Sequence, residues 1–124
     1  MNSKVFMVVR ILLAIMLLVF GTNKFFNFLP PFEVPQAAQD YFAAMASSKT
    51  IQVVGIIEVL TGLALLINRY GALMAVILMS VSVNAVLFHA TLAPEGIGPA
   101  LGLLILNILV LVGYKDRYKD ILRA

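Results

Sequence analysis

Cysteine is absent from this 124-residue chain, and histidine occurs once, as His89. Without thiols there are no disulfide staples, thiolate metal sites, thiol-disulfide exchange or cysteine nucleophiles, so any redox role has to use a bound carrier. One imidazole among scattered carboxylates is a poor ligand set for zinc, copper or haem, and no metal is expected. Charge is scarce as well, at 12% of residues. The nine basic residues outnumber the six acidic ones, but they flank apolar segments instead of forming a basic face interleaved with aromatics, which argues against nucleic acid.

What fills the chain is hydrocarbon. Hydrophobic residues make up 62% of it, and the mean hydropathy is +1.02, far outside the range of soluble domains. The reading is an all-α integral membrane four-helix bundle, a single transmembrane domain over residues 1–124. Its segments run from about Val5 to Phe26, Ile51 to Ile67, Ala72 to Leu92 and Pro99 to Tyr114. Each is long enough, or nearly so, for the roughly 20 residues that cross a bilayer. The short Asn68-Arg69-Tyr70-Gly71 connection predicts an antiparallel hairpin with Gly71 as a helix C-cap. Ala93 to Gly98 is a Pro- and Gly-rich turn, after which Pro99 can open the last helix.

The start resembles a signal peptide, with Lys4 and Arg10 before the apolar run Ile11 to Phe20. The only small-residue cleavage site, Val19-Phe20-Gly21, is weak, and aromatic sequence continues past it, so a retained helix is expected. Arg10 lies near one end, where it can snorkel to the headgroups. Pro30, Pro31 and Pro35 forbid continuous helix in the first connection, yet Ala37, Tyr41, Ala44 and Met45 share a helical face. A short amphipathic interfacial helix is expected there, against the bundle or the headgroups. Four crossings put both termini on one side. Lys4, Arg10, Arg69, Lys115, Arg117, Lys119 and Arg123 fall on that side and only Lys24 and Lys49 on the other, which makes both termini cytoplasmic.

The few polar residues inside the apolar segments are the functional candidates, because burying an ionisable group in hydrocarbon costs several kcal/mol on most scales. Counting 1.5 Å per residue, Glu58 lies roughly 10 Å below the outer surface, Asn84 at about the same level, His89 nearer the surface and Asn107 roughly 12 Å down. Asn23 and Lys24 end the first helix at the outer interface. All four segments thus bring polar groups to the outer half. Gly55, Glu58 and Gly62 form one stripe, so the carboxyl should face inward within a small-residue groove that permits close helix approach. Asn84 and His89 differ by about 140° around the helix and cannot face one point. Each residue also has a plain structural use: Asn84 and Asn107 as interhelical hydrogen-bonding amides, His89 bonded to a backbone carbonyl, and Glu58 protonated or paired with Lys24 or His89. Phe25, Phe26, Phe28 and Phe32 read as an aromatic belt before a cofactor slot.

Phe20-Gly21-Thr22-Asn23-Lys24-Phe25, Gly55-Ile56-Ile57-Glu58-Val59-Leu60-Thr61-Gly62, and the stretch from Asn84 through Phe88-His89 to Pro94 resemble the DoxX family. The likeness covers nearly the whole chain, including the basic tail with Asp116-Arg117-Tyr118. It implies a small bacterial inner-membrane four-helix protein. Members of the family are linked to quinone-coupled oxidation of reduced sulfur compounds, to complexes that resist oxidants and to tolerance of catechols and quinones, and the related DoxD subunit accompanies a thiosulfate:quinone oxidoreductase. By that resemblance Glu58, His89, Asn23 and Lys24 match the family's polar positions, and the implied cofactor is a quinone. A chain with no room for a soluble thiosulfate domain is not expected to be a complete oxidoreductase without a membrane or peripheral redox partner.

Three functions follow from these residues. A membrane subunit could bind a quinone or similar apolar ring, with Glu58 or His89 hydrogen-bonding a carbonyl and exchanging its proton. A non-enzymatic scaffold or assembly protein could use its polar core for specificity and small residues such as Gly62, Gly102 and Gly113 for packing within or between chains, including as a homo-oligomer. A proton-coupled transporter is the third, although no inverted repeat is visible.

Overall fold

Long runs of Leu, Ile, Val, Ala and Met, with proline only at the start of the last, build four helices long and apolar enough to cross a membrane. The computed structural model describes residues 1–31 and 33–124 and contains no strand among them. Phe32 of the expected phenylalanine cluster lies outside the described residues. Helix α1 spans Ser3–Phe26, α2 Gln36–Ser47, α3 Thr50–Ile67, α4 Gly71–Thr91 and α5 Ile97–Gly113, with single 3-10 turns at Pro94–Gly96 and Lys115–Tyr118. The spanning helices alternate in direction. In sequence order each packs on the next, and α1 closes the ring against α5. The short α2 lies against α3 and, through Ala38, against Phe88 of α4.

The core is narrow. Leu13, Leu17, Leu65, Leu78 and Val110 are fully buried along the bundle axis. Large apolar side chains such as Leu12, Ile15, Ile56, Leu60, Leu87 and Ile105 point outward. In water such a surface would be an aggregation hazard, whereas in a bilayer it is the face that lipid tails cover.

Helix ends are set by specific side chains. Asn2 caps α1, its Oδ1 accepting from the Lys4 amide at 2.7 Å. Asn68, not Gly71, ends α3: it adopts the left-handed conformation at φ 55°, which asparagine tolerates, and its Oδ1 accepts from the Tyr114 hydroxyl at 2.5 Å. Gly71 instead begins α4, where the Tyr114 ring fills the place a Cβ would take. Arg10 does not snorkel to headgroups. Its guanidinium donates to the Leu65 carbonyl and, at 3.4 Å, to that of Leu66, serving carbonyls at the negative end of α3 that have no intrahelical partner. Pro99 falls in the first turn of α5 and does not open it, because the turn starting at Pro94 has already begun the helical path.

The tail is fastened by tyrosines. Tyr118 donates to the Ala72 carbonyl at 2.7 Å, and the Phe6 and Tyr114 rings meet edge to face at 4.9 Å. Burial pushes the Tyr114 and Tyr118 phenols above their ordinary value, so both hydroxyls remain donors throughout neutral pH.

Asn107 is a strut between α4 and α5. It is fully buried, accepts from the Ser82 hydroxyl at 2.7 Å and donates to the Ala75 carbonyl at 3.0 Å. Its amide is taken up between Ser82 at mid-helix and Ala75 one turn into α4, so it does not join the polar groups nearer the opposite end. Asn107→Ala should lower unfolding stability by about 2 kcal/mol, the cost of leaving buried partners unsatisfied. Equal stability of variant and wild type in a denaturant titration would show that the strut is idle.

Candidate functional site

The two glycine-containing motifs of α1 and α3 interlock. At Gly21 a Cβ would lie 3.0 Å from the Glu58 Cβ and 3.1 Å from the Val59 backbone nitrogen. At Gly62 it would meet the Leu18 side chain and the Ala14 carbonyl, and at Gly55 the Phe25 ring at 2.8 Å. Three glycines therefore bring the helices nearly backbone to backbone, as small residues do in membranes.

That contact brings together Lys24 and Glu58. In an α-helix the Cα–Cβ bonds tilt toward the N-terminus, so on these antiparallel helices Lys24 leans into the bundle while Glu58 leans toward the end opposite the termini. Lys24 Nζ lies 2.5 Å from Glu58 Oε1, with side-chain exposures of 22% and 5%. The ammonium meets a carboxylate oxygen that is itself buried in the helix contact. The ammonium also donates to the Phe20 carbonyl at 3.5 Å.

Beside this pair opens a cavity of about 410 Å³ between α1, α3, α4 and the overlying α2. Glu58, Lys24, Asn84 and His89 all line it. Asn84 and His89 both belong to the α4 wall of this space, about 140° apart around the helix. Asn84 donates to the Ser80 carbonyl of its own helix at 2.7 Å and, among the described residues, makes no interhelical bridge. The His89 Nδ1 lies 3.1 Å from the Ala93 carbonyl. A carbonyl only accepts, so Nδ1 carries the proton and Nε2 is the atom left for a ligand. Gly96 makes room for this ring: a Cβ there would sit 2.6 Å from the His89 Cε1. Asn23 stays outside the cavity. Its Oδ1 accepts from the Leu29 amide at 2.8 Å and shapes the exit from α1.

Aromatic walls complete the space; Tyr41 lies on the helical face expected from the sequence, whereas Phe42 and Phe88 have no site role there. Tyr41 stacks on Phe88 at 5.1 Å and Phe42 meets it at 4.8 Å with planes 62° apart. The inward face of α2 is Ala38, Tyr41, Phe42 and Met45, which keeps Tyr41 and Met45 of the expected face and has Ala38 and Phe42 in place of Ala37 and Ala44. The i, i+3, i+4, i+7 spacing of these four residues was the available signal. Phe26 and Phe28 are exposed, away from the cavity.

The arrangement offers an ion pair, one free imidazole nitrogen and an amide at the edges of an otherwise apolar, aromatic space. It can hold a flat ring bearing a carbonyl or hydroxyl. Among the described residues no three His, Cys, Asp or Glu side chains gather as a metal site.

No curated protein and no solved structure matches the chain. A family model, that of DoxX, matches residues 5–91. This region takes in α1 to α4 and every polar side chain named in the cavity wall. With four apolar spanning helices and a match over more than half its length, this multi-pass membrane protein belongs to the DoxX family.

Proposed function

We propose that the chain is a membrane subunit that binds a quinone or a closely similar aromatic carbonyl compound in the cavity under α2. The observation that carries this reading is the joint lining of one 410 Å³ space by Glu58, Lys24, Asn84 and His89 with Tyr41, Phe42 and Phe88. Volumes of this order suit small organic ligands in largely apolar pockets with a few placed polar groups. The residues fit such a ring: the aromatic side chains would flank it, and the Glu58 carboxyl, on the cavity wall beside Lys24, would face a ring hydroxyl.

A quinone supplies two-electron, two-proton chemistry when bound, with the electrons coming from a separate redox protein. In this chain Glu58 would accept a hydroxyl proton or give one back, and Lys24 would hold the carboxylate when it is charged. His89, fixed by Ala93, would present Nε2 to a ring oxygen. Basic residues concentrated at the end carrying both termini support placing that end in the cytoplasm of a bacterial inner membrane.

Mass spectrometry of small molecules retained by gently extracted protein tests the reading. Wild-type protein should carry a quinone, with Glu58→Gln and His89→Ala each retaining at least about ten-fold less while still folded, the loss of one charged or well-placed hydrogen bond. Only bulk lipid in all three would overturn it. A second reading, a scaffold that assembles with a copy of itself or another membrane protein, is favoured by one observation: a Cβ at Gly98 or Gly102 on α5 meets nothing within 4 Å. Gly62 and Gly113, by contrast, are filled from within the chain by Leu18 and Phe6.

A further inference from the structure

The end of the bundle that carries both termini has a groove of about 590 Å³ unrelated to the aromatic cavity. Arg69 and Tyr70 of the α3–α4 connection form one side, Arg117 and Ile121 of the tail the other, and Leu73 and Val76 the floor. The tail is held there by bonds already described, Tyr114 to Asn68 and Tyr118 to Ala72. These fasten Arg117 beside the connection that carries Arg69.

Both arginines lack a carboxylate. Among the described residues the ion pairs are Lys24 with Glu58, Lys119 with Asp116 and Arg123 with Asp120. Arg117 lies over the Tyr114 ring at 5.4 Å, a contact that orients the cation without neutralising it. Two like charges pinned to one groove call for an anion between them. The groove does not stop at the charges. Val76 lies about 8 Å along α4 from Gly71, and Leu73 and Val76 are 57% and 48% exposed, so the apolar floor runs from the level of the arginines into the depth of the lipid tails. A soluble anion would use only the upper part of such a surface.

We infer that this groove seats one anionic glycerophospholipid from the adjoining leaflet, its phosphate between Arg69 and Arg117 and an acyl chain along Leu73 and Val76. Basic pockets between spanning helices hold anionic headgroups in this manner, each arginine near the surface contributing a factor of about five in affinity.

Native mass spectrometry of the full chain in detergent, titrated with phosphatidylglycerol or phosphatidylcholine, reads the preference directly. Wild-type protein should favour phosphatidylglycerol roughly thirty-fold, the product of two arginines. The double variant Arg69→Gln/Arg117→Gln should lose that preference, while Lys115→Gln/Lys119→Gln, which removes the same charge outside the groove, should keep it. Thermal melting of the wild type, raised by phosphatidylglycerol and not by phosphatidylcholine, supplies a readout independent of any variant. Equal losses in the two double variants would reduce the effect to net charge and overturn the site. So would equal binding of both lipids, or displacement of phosphatidylglycerol by inorganic phosphate at matching concentration.

Discussion

Lys24→Ala is expected to destabilise the protein by about 3 kcal/mol, whereas Glu58→Gln should cost only about 1 kcal/mol. The asymmetry comes from burial. Glu58 is 5% exposed and Lys24 22%, so removing the lysine strands a carboxylate inside the helix contact, while removing the negative charge leaves an ammonium on a flexible stem that can extend toward the membrane surface. Breaking a buried pair from one side costs 3–5 kcal/mol in general, and the partial exposure of Lys24 places this case at the lower end. The double variant Lys24→Ala/Glu58→Gln should be no less stable than Glu58→Gln alone, giving a coupling of about 3 kcal/mol, at the upper end of the range seen for contacting residues. Unfolding titrations of the four proteins in one lipid or detergent system decide it. Equal single-variant costs that simply add would mean that the two side chains act independently.

Gly21→Leu should be as damaging, losing about 3 kcal/mol or enough to prevent folding. The Cβ alone would press on the Val59 Cγ2 at 2.9 Å and on α3 backbone at 3.1 Å. A side-chain tip can rotate away; a backbone nitrogen in mid-helix cannot. Helix α1 must then withdraw from α3, which also separates Lys24 from Glu58, so this variant and Lys24→Ala should combine to less than the sum of their effects. Gly102→Ala is the matched control, because its Cβ meets nothing within 4 Å; it should hold or raise stability by about 0.5–1 kcal/mol through helix propensity. Wild-type stability in Gly21→Leu would show that the helices are not in close contact there.

The polar residues show how far reading the chain could go. Glu58 announced itself, since a carboxyl group with glycines at −3 and +4 inside an apolar run has to face another helix. Lys24 reads as an outer-interface residue and as one of two possible partners for Glu58, the other being His89; the choice rests on the tilt of its side chain, which matters only once α3 is known to lie antiparallel beside it. Asn84 and Asn107 looked alike as amides in apolar helices. They part in the fold, where Asn107 is sealed between α4 and α5 and Asn84 opens onto a cavity. The aromatic walls are half legible for a related reason, with Tyr41 on the expected face and Phe42 off it. Tyr41 and Phe42 are adjacent in sequence and fall in a segment of modest amphipathicity, and that both face inward follows from how α2 docks.

By itself the sequence determined the class of this protein, the number and approximate limits of its spanning helices and the bulge of extra structure after the first. Those properties are local: segment length against bilayer thickness, proline against helix, and the hydropathy of consecutive residues. Only the tertiary structure decided which glycines are contact points and which lie open, that Arg10 closes the end of α3, and that α2 covers a cavity shared by an ion pair, an imidazole and three aromatic rings. Each of these depends on residues far apart in the chain, and the distance between two helices is set by the side chains of both, so neither segment carries the answer alone.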